Sequence, residues 1–322
     1  MLPESLFFGT PSRSQRVLPK EAIPPVLWEA PTLHIPSDLI DVYLSEIDRL
    51  GLRQRCVGNS DDGIHGGQSE EETHNHFALR FCASSGRVVY TILAPTEEFI
   101  EFSNAFLSSF STGHIALLDI PCGTGALSAT LICTLINLRK ARLLPRLPLT
   151  ITIGAGDFSP SALALFDIML REITPKAASQ GITVRSAAVE WNATRSDQTA
   201  ALVDQWFAAA VDATEYFVVI CNFSGAIKNN EQFANFSPCF EHILARLHDK
   251  ISTLVWLEPQ TKSAKRGVFK WAFDFIKHRK WWFSGNAEDR EPSTAAAEYE
   301  LQNPVSLKSF ASNVLVQRFD RT

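Results

Sequence analysis

The chain has no close pair of cysteines. Its six, Cys56, Cys82, Cys122, Cys133, Cys221 and Cys239, are scattered without a CxxC spacing, so the paired ligands of zinc ribbons and fingers are missing and no metal site is expected. It also lacks a run of about 20 unbroken apolar residues, the length a bilayer core demands. The richest stretch, 115–137, is interrupted by Asp119, Pro121 and two glycines. The N-terminus lacks the charged-then-apolar order of a signal peptide, and Cys133 and Cys221 sit in apolar runs as buried, reduced thiols would. A soluble protein of a reducing, cytoplasmic compartment, with no membrane partner, is expected. Three N-x-S/T sequons, at Asn192, Asn222 and Asn235, read as coincidental on that basis. A large excess of either charge is absent too. The net charge is −5, with 45% hydrophobic and 20% charged residues, so any nucleic-acid contact must come from a local patch.

What is present is an α/β alternation. Apolar runs at 115–119, 149–155, 182–189, 216–221 and 252–257 predict strands. Helical patterns at 125–141, 160–173, 197–211, 231–248 and about 264–279 alternate with them, which implies a parallel sheet covered on both faces. Residues 298–304 and 312–320 predict an antiparallel closing hairpin. Before this domain, residues 1–36 hold seven of the 17 prolines and read as an extended arm. A helix is predicted over 38–52, a mobile Gly-rich acidic loop over 57–73, and a helix N-capped by Thr96 through Phe110. Residues 74–94 fit either a short helix, a Ser-Gly turn and a strand, or a hairpin. The expected division is an arm and lid-like extension at 1–95 and a ligand-binding domain at 96–322.

The chemistry concentrates at predicted strand ends. The segment Ala116-Leu117-Leu118-Asp119-Ile120-Pro121-Cys122-Gly123-Thr124-Gly125 is a strand, an acid and a glycine turn, followed at once by a helix. Two glycines allow close backbone approach, and the helix N-terminus offers N–H groups to a carboxylate. Asp119 suits a cationic amino group or holds the turn itself. One strand later, Gly156-Asp157-Phe158-Ser159-Pro160 again places an acid at a strand tip, where a carboxylate can accept two hydroxyls. Asn192 follows the third strand, with Glu190 and Trp191 beside it. Asn222 ends the fourth, in Asn222-Phe223-Ser224-Gly225. Glu258 ends the fifth, and Pro259 forces it out of helical geometry; a surface or structural role is expected for it. His74 and His76 read as surface groups of a polar loop.

The first segment resembles motif I of class I S-adenosylmethionine-dependent methyltransferases, with Pro121 where the family usually has its first glycine. The D-x-S-P segment resembles that family's motif II. The resemblance implies a doubly wound, seven-stranded, mostly parallel sheet with an antiparallel C-terminal hairpin and an N-terminal helical or irregular extension. It implies that S-adenosyl-L-methionine is held by Asp119, Pro121, Cys122, Gly123, Thr124, Gly125, Asp157, Phe158, Ser159 and Asn192. Asp157 would take the ribose hydroxyls, Asn192 the adenine edge, and Asn222 would face the transferring methyl in a catalytic position. Nucleobase amino methyltransferases carry an N/D-P-P-aromatic turn there, and NFSG departs from it.

Alternatives stay open. A nicotinamide site would want G-x-G-x-x-G and an acid about 20 residues on; here Ser128 replaces the third glycine and Asp157 lies too far along. The acceptor could be RNA or another anionic macromolecule, gripped by the basic, aromatic stretch at 262–280, where Lys265, Arg266, Lys270 and Lys277 are the test positions. That stretch is equally a helix with a basic outer face and an aromatic core face. A small acceptor under an N-terminal lid, or a non-catalytic scaffold for a protein or ribonucleoprotein, completes the set.

Overall fold

The structure, a computed structural model, describes residues 16–57, 67, 69–223, 230–260, 269–277 and 293–321. One sheet organises them. In chain order its strands are β1 (Trp28–Glu29), β2 (Thr32–Leu33), β3 (Gly113–Asp119), β4 (Leu149–Asp157), β5 (Ile182–Glu190), β6 (Glu215–Cys221), β7 (Ser252–Glu258), β8 (Ser293–Gln302) and β9 (Ser309–Arg321), and in space they lie β1-β2-β8-β9-β7-β6-β3-β4-β5. Strands β7, β6, β3, β4 and β5 are parallel, whereas β9 inserts antiparallel between β7 and β8. The expected parallel sheet and closing hairpin are present, but the strand number is nine rather than seven. The difference lies in the arm: residues 28–33 form a small hairpin whose second strand adds parallel to β8.

The helices are α1 (Ser37–Arg49), α2 (Glu70–Leu93), α3 (Ile100–Ser109), α4 (Ala126–Lys140), α5 (Pro160–Ala178), α6 (Ser196–Ala209), α7 (Asn230–Arg246) and α8 (Phe269–Lys277). Alternate residues of the central strands point into two different cores, as strand geometry requires. Ile115, Leu117, Ile151, Ile153, Phe217 and Val219 pack with residues of α1 to α5. Ala116, Leu118, Val218, Ile220, Leu254 and Trp256 pack with α6, α7 and α8. The sheet is therefore covered on both faces, which explains why its strands read as continuous apolar runs. Leu27, Leu33, Leu39 and Tyr43 of the N-terminal extension belong to the first core. No described helix is long and apolar enough to cross a membrane. All six cysteines are buried and free, and no metal-ligating group occurs among the described residues.

The largest departure from expectation is α2. Residues 70–93 form one helix of 24 residues, not a turn and a strand. Its start is fixed by a capping box between Ser69 and Glu72, which ends the anticipated 57–73 loop early. The Ser84-Ser85-Gly86 run that imitates a turn lies mid-helix for a packing reason. A Cβ on Gly86 would stand 2.8 Å from Leu301 Cδ2, so any larger residue would have to push the buried Leu301 side chain aside for the helix to lie this close to β8. Thr96 is not a side-chain cap; residues Glu97–Phe99 form a 3-10 turn before α3, and the Thr96 hydroxyl accepts from Tyr90 instead.

On the other face the contact is equally tight. A Cβ on Gly154, in the middle of β4, would lie 2.8 Å from three atoms of the buried Trp206 of α6. Trp206 also closes a ring cluster with Phe207 and Tyr216. Gly154→Ala is expected to lower stability by about 1–3 kcal/mol through overpacking, seen as a reduced urea midpoint at unchanged slope.

Candidate functional site

The strand order changes direction at β3, which pairs with β4 on one side and β6 on the other. The chain leaves β3 toward β4 first and reaches β6 only later, the arrangement in which doubly wound sheets bind ligands in a crevice outside the carboxyl ends of these strands. The expected residues Asp119 to Gly125, Asp157 to Ser159, Asn192 and Asn222 all lie on the turns at this one edge.

The β3 turn is held by its neighbours. Ile120 N donates to Val219 O at 3.1 Å and Cys122 N to Gly156 O at 2.9 Å, extending the ladders past the strand end on both sides. The Ile120–Pro121 peptide is cis. Gly123 (φ +51°) and Gly125 (φ +87°) occupy the left-handed region, where a side chain is costly. Gly125 faces Phe166 of α5, 3.2 Å from where a Cβ would be, whereas a Cβ on Gly123 would meet no atom within 4 Å. The first glycine therefore faces open space and the second serves close packing. Cys122 and Thr124 are buried.

Asp157 spans the two turns. Its Oδ2 accepts from Gly123 N at 2.8 Å and its Oδ1 from Ser159 N at 2.9 Å. Burial raises its pKa, and the bonds from Ser159, Gly123 and Phe158 pull it back down. Both oxygens are thus engaged by main chain, and the carboxylate keeps some acceptor capacity for a ligand hydroxyl. Ser159 caps α5 through Ala162 N at 3.2 Å. Phe158, between them, is 53% exposed, an apolar ring at the crevice that the core does not claim.

Asp119 is fully buried. Its Oδ2 accepts from Ser128 Oγ at 2.6 Å, while Oδ1 has no hydrogen-bond partner. Burial raises its pKa to about 7, with Asp157 adding to the rise and Ser128 opposing it. Asn192 closes a local turn: its Oδ1 accepts from Thr194 N and Oγ1 at 2.9 and 2.8 Å. Trp191, a candidate for touching a base, is instead buried, its indole donating to Thr199 Oγ1 at 2.8 Å.

At the β6 tip, Asn222 has φ +57°. Its N donates to Leu257 O, and Phe223 N donates to Glu258 Oε1 at 2.7 Å. Glu258 is fully buried and also accepts from Trp256 Nε1 at 2.9 Å. The surface half of its expected role is excluded; it braces the turn from behind. From the front comes Arg87 of α2, donating to Asn222 Oδ1 at 2.7 Å, while Asn222 Nδ2 donates to Ser84 Oγ at 3.1 Å. Arginine can only donate, so this bond fixes which way the amide points. Arg87 was invisible in the sequence because its segment lacked a clear helical reading.

The opposite end of α2 touches the β4 turn, where Thr73 Oγ1 and Ser159 Oγ are 3.0 Å apart. One face of α2 therefore runs from the β4 tip to the β6 tip. His76 lies on it, within a helix rather than in a surface loop, and burial with Arg80 and Arg87 pushes its pKa down to about 4. In the stretch 262–280, residues 262–268 and 278–280, with Lys265 and Arg266, lie outside the described residues, as do the side chains of Lys270 and Lys277. Within α8, Trp271 packs against Phe240, Trp256 and Phe275, the core side of an amphipathic helix.

No protein-family model matches the chain, and no curated protein sequence does. Among solved structures, the rRNA methyltransferase aviRa from Streptomyces viridochromogenes is 12% identical, with 70% of this chain and 84% of that one covered and a TM-score of 0.34. A structure concerned with conversion of a disulfide bond into a thioacetal group during echinomycin biosynthesis is 14% identical, with 69% and 80% covered and a TM-score of 0.32.

The raised pKa of Asp119 has a defined stability signature. Between about pH 4, where a free aspartate titrates, and its folded value the native state binds more protons than the unfolded chain. Asp119 therefore contributes stability at low pH that is lost as pH rises through about 7. Asp119→Asn is expected to flatten that decline relative to wild type, with Asp157 present in both proteins. The measurement is denaturant unfolding at several values between pH 4 and 8.

Proposed function

We propose that the protein is an S-adenosylmethionine-dependent methyltransferase of the class I, doubly wound type. The observation that carries this reading is the joining of two ligand-competent turns by one carboxylate, Asp157 to Gly123 N, at the switch point of the sheet. The residues present fit the cofactor. Gly123 presents backbone to open space, Asp119 holds a buried oxygen without a partner, and Phe158 offers a bare ring.

In this reading Asp119, Pro121, Cys122, Gly123, Thr124 and Gly125 hold the methionine end. Asp157 holds the ribose. Ser159, whose buried hydroxyl is spent on Ala162 N and Thr73, positions Asp157 through its main-chain N–H rather than touching the ligand. Phe158 and the amide nitrogen of Asn192 hold the adenine. The cofactor supplies an electrophilic methyl carbon. The chain aligns the acceptor and excludes water. Asn222 stands on the acceptor side, its amide pinned by Arg87 and Ser84, with one N–H and one lone pair left to orient the attacking group. In this reading residues 96–322 carry the cofactor contacts, and α2, from a preceding segment whose Leu27, Leu33, Leu39 and Tyr43 share their core, closes over them. The contacts of α2 with both turns favour an acceptor enclosed by that extension over one lying on an open surface; Trp271, turned into the core, is not offered for base stacking.

Calorimetric titration with S-adenosylmethionine, S-adenosylhomocysteine and NAD tests the reading. Micromolar binding of both sulfur ligands, none of NAD, and a loss of about ten-fold or more in Asp157→Ala are expected, the size of a charged hydrogen-bonding group removed. Absence of sulfur-ligand binding by folded protein would overturn it in favour of a scaffold.

A further inference from the structure

The face of α2 that spans the crevice carries Thr73, His76, Arg80, Ser84 and Arg87, spaced three and four apart as one helical side requires. Its two ends are located by hydrogen bonds, Thr73 at the β4 turn and Arg87 at the β6 turn, so the groups between them border the space above the β3 turn. Its charged groups are the two cations Arg80 and Arg87; Thr73, Ser84 and the imidazole of His76, its pKa held down to about 4, are neutral, and none of the five is an acid.

Arg87 is only 8% exposed, and burial lowers its pKa. A buried guanidinium normally meets a carboxylate. Here one nitrogen, Nη2, serves the two neutral acceptors Ser84 Oγ and Asn222 Oδ1, and Nε and Nη1 donate to no described group. Glu258, whose Oε1 accepts from Phe223 N and Trp256 Nε1, favours the charge of Arg87 only at longer range than an ion pair. Arg80, half-buried, has neither a hydrogen bond nor an ion pair among the described residues, although it stands close enough to disfavour protonation of His76. The buried Arg87 and the half-buried Arg80 lie together at this edge and neither makes an ion pair with a described residue; the planar fork of each matches a carboxylate or phosphate edge and makes the pair a receptor for an anion.

We propose that Arg87 and Arg80, with His76 beside them, form a seat for a carboxylate or phosphate group of a ligand bound at the β6 tip. This deepens the methyltransferase reading, and rests on it, only in naming the ligand. The site order along the sheet edge, with Asp157 at β4 and Asn222 at β6, puts the seat on the acceptor's side of the crevice. The same chemistry is carried by the carboxylate of the cofactor's methionine end.

The experiment is calorimetric titration of the full chain with inorganic phosphate, with and without saturating S-adenosylhomocysteine or 5′-methylthioadenosine. Wild type, Arg80→Gln and Arg87→Met are compared. Millimolar phosphate binding, weakened about ten-fold in each variant, is expected. If phosphate binds unchanged beside S-adenosylhomocysteine and the variants keep that ligand's affinity, the seat belongs to the acceptor. If S-adenosylhomocysteine expels phosphate while methylthioadenosine, which lacks the carboxylate, does not, the seat belongs to the cofactor. Equal phosphate affinity in all three proteins overturns the seat. Because Arg87 braces Asn222, Arg87→Met could unfold; Arg80, which bonds to nothing described, then decides alone. Phosphate binding needs no cofactor, so its persistence in a protein that ignores S-adenosylhomocysteine would sink the methyltransferase reading and leave the seat standing.

Discussion

The bond from Gly123 N to Asp157 Oδ2 is the interaction on which the rest of the crevice depends. In a turn with two left-handed glycines Gly123 itself meets no side chain, and Asp157 supplies a fixed acceptor from the neighbouring strand. The same carboxylate accepts from Ser159 N, Ser159 caps α5 and meets Thr73, and α2 then carries that placement across to Asn222 through Arg87. A disturbance at Asp157 is thereby felt at three strand tips. Its cost is the burial of an acid beside Asp119, and desolvation raises the pKa of both.

Charge is laid out along the crevice in two zones. The acids Asp119 and Asp157 stand at β3 and β4, and the cations Arg80 and Arg87 stand toward β6. Water screens Asp119 and Arg87 little, since both are buried. A ligand with a positive centre at one end and a negative group beyond it matches this order. Glu258 makes the cationic zone affordable by standing behind the Asn222 turn rather than in it.

The parallel strands and their helices were legible because a sheet buried on both faces demands unbroken apolar runs, and Ile115–Leu118, Phe217–Ile220 and Leu254–Leu257 supply them. The turn residues were legible because acid and glycine at a strand end have few other uses. What escaped was decided by tertiary contact. Gly86 reads as a turn in sequence, and only Leu301, more than two hundred residues away, explains it. Strands of two residues, as at 28–29 and 32–33, have no periodicity to detect. Arg87 and Glu258 are charged residues whose burial follows from the turn they clamp, which no local pattern announces. Asp157 reads in the sequence as an acid at a strand tip and lies at the end of β4, yet its bonds to Gly123 and Ser159 depend on where the neighbouring turn falls.

The most direct test of the proposed chemistry is a crystal structure with S-adenosylhomocysteine bound. The ligand should lie along the β5, β4 and β3 tips, its ribose on Asp157, its adenine against Phe158 and its amino group toward Asp119, with the Gly123–Asp157 bond kept. A ligand bound elsewhere, or a β3 turn that closes over Gly123 and excludes it, would contradict the assignment of this crevice as the cofactor site.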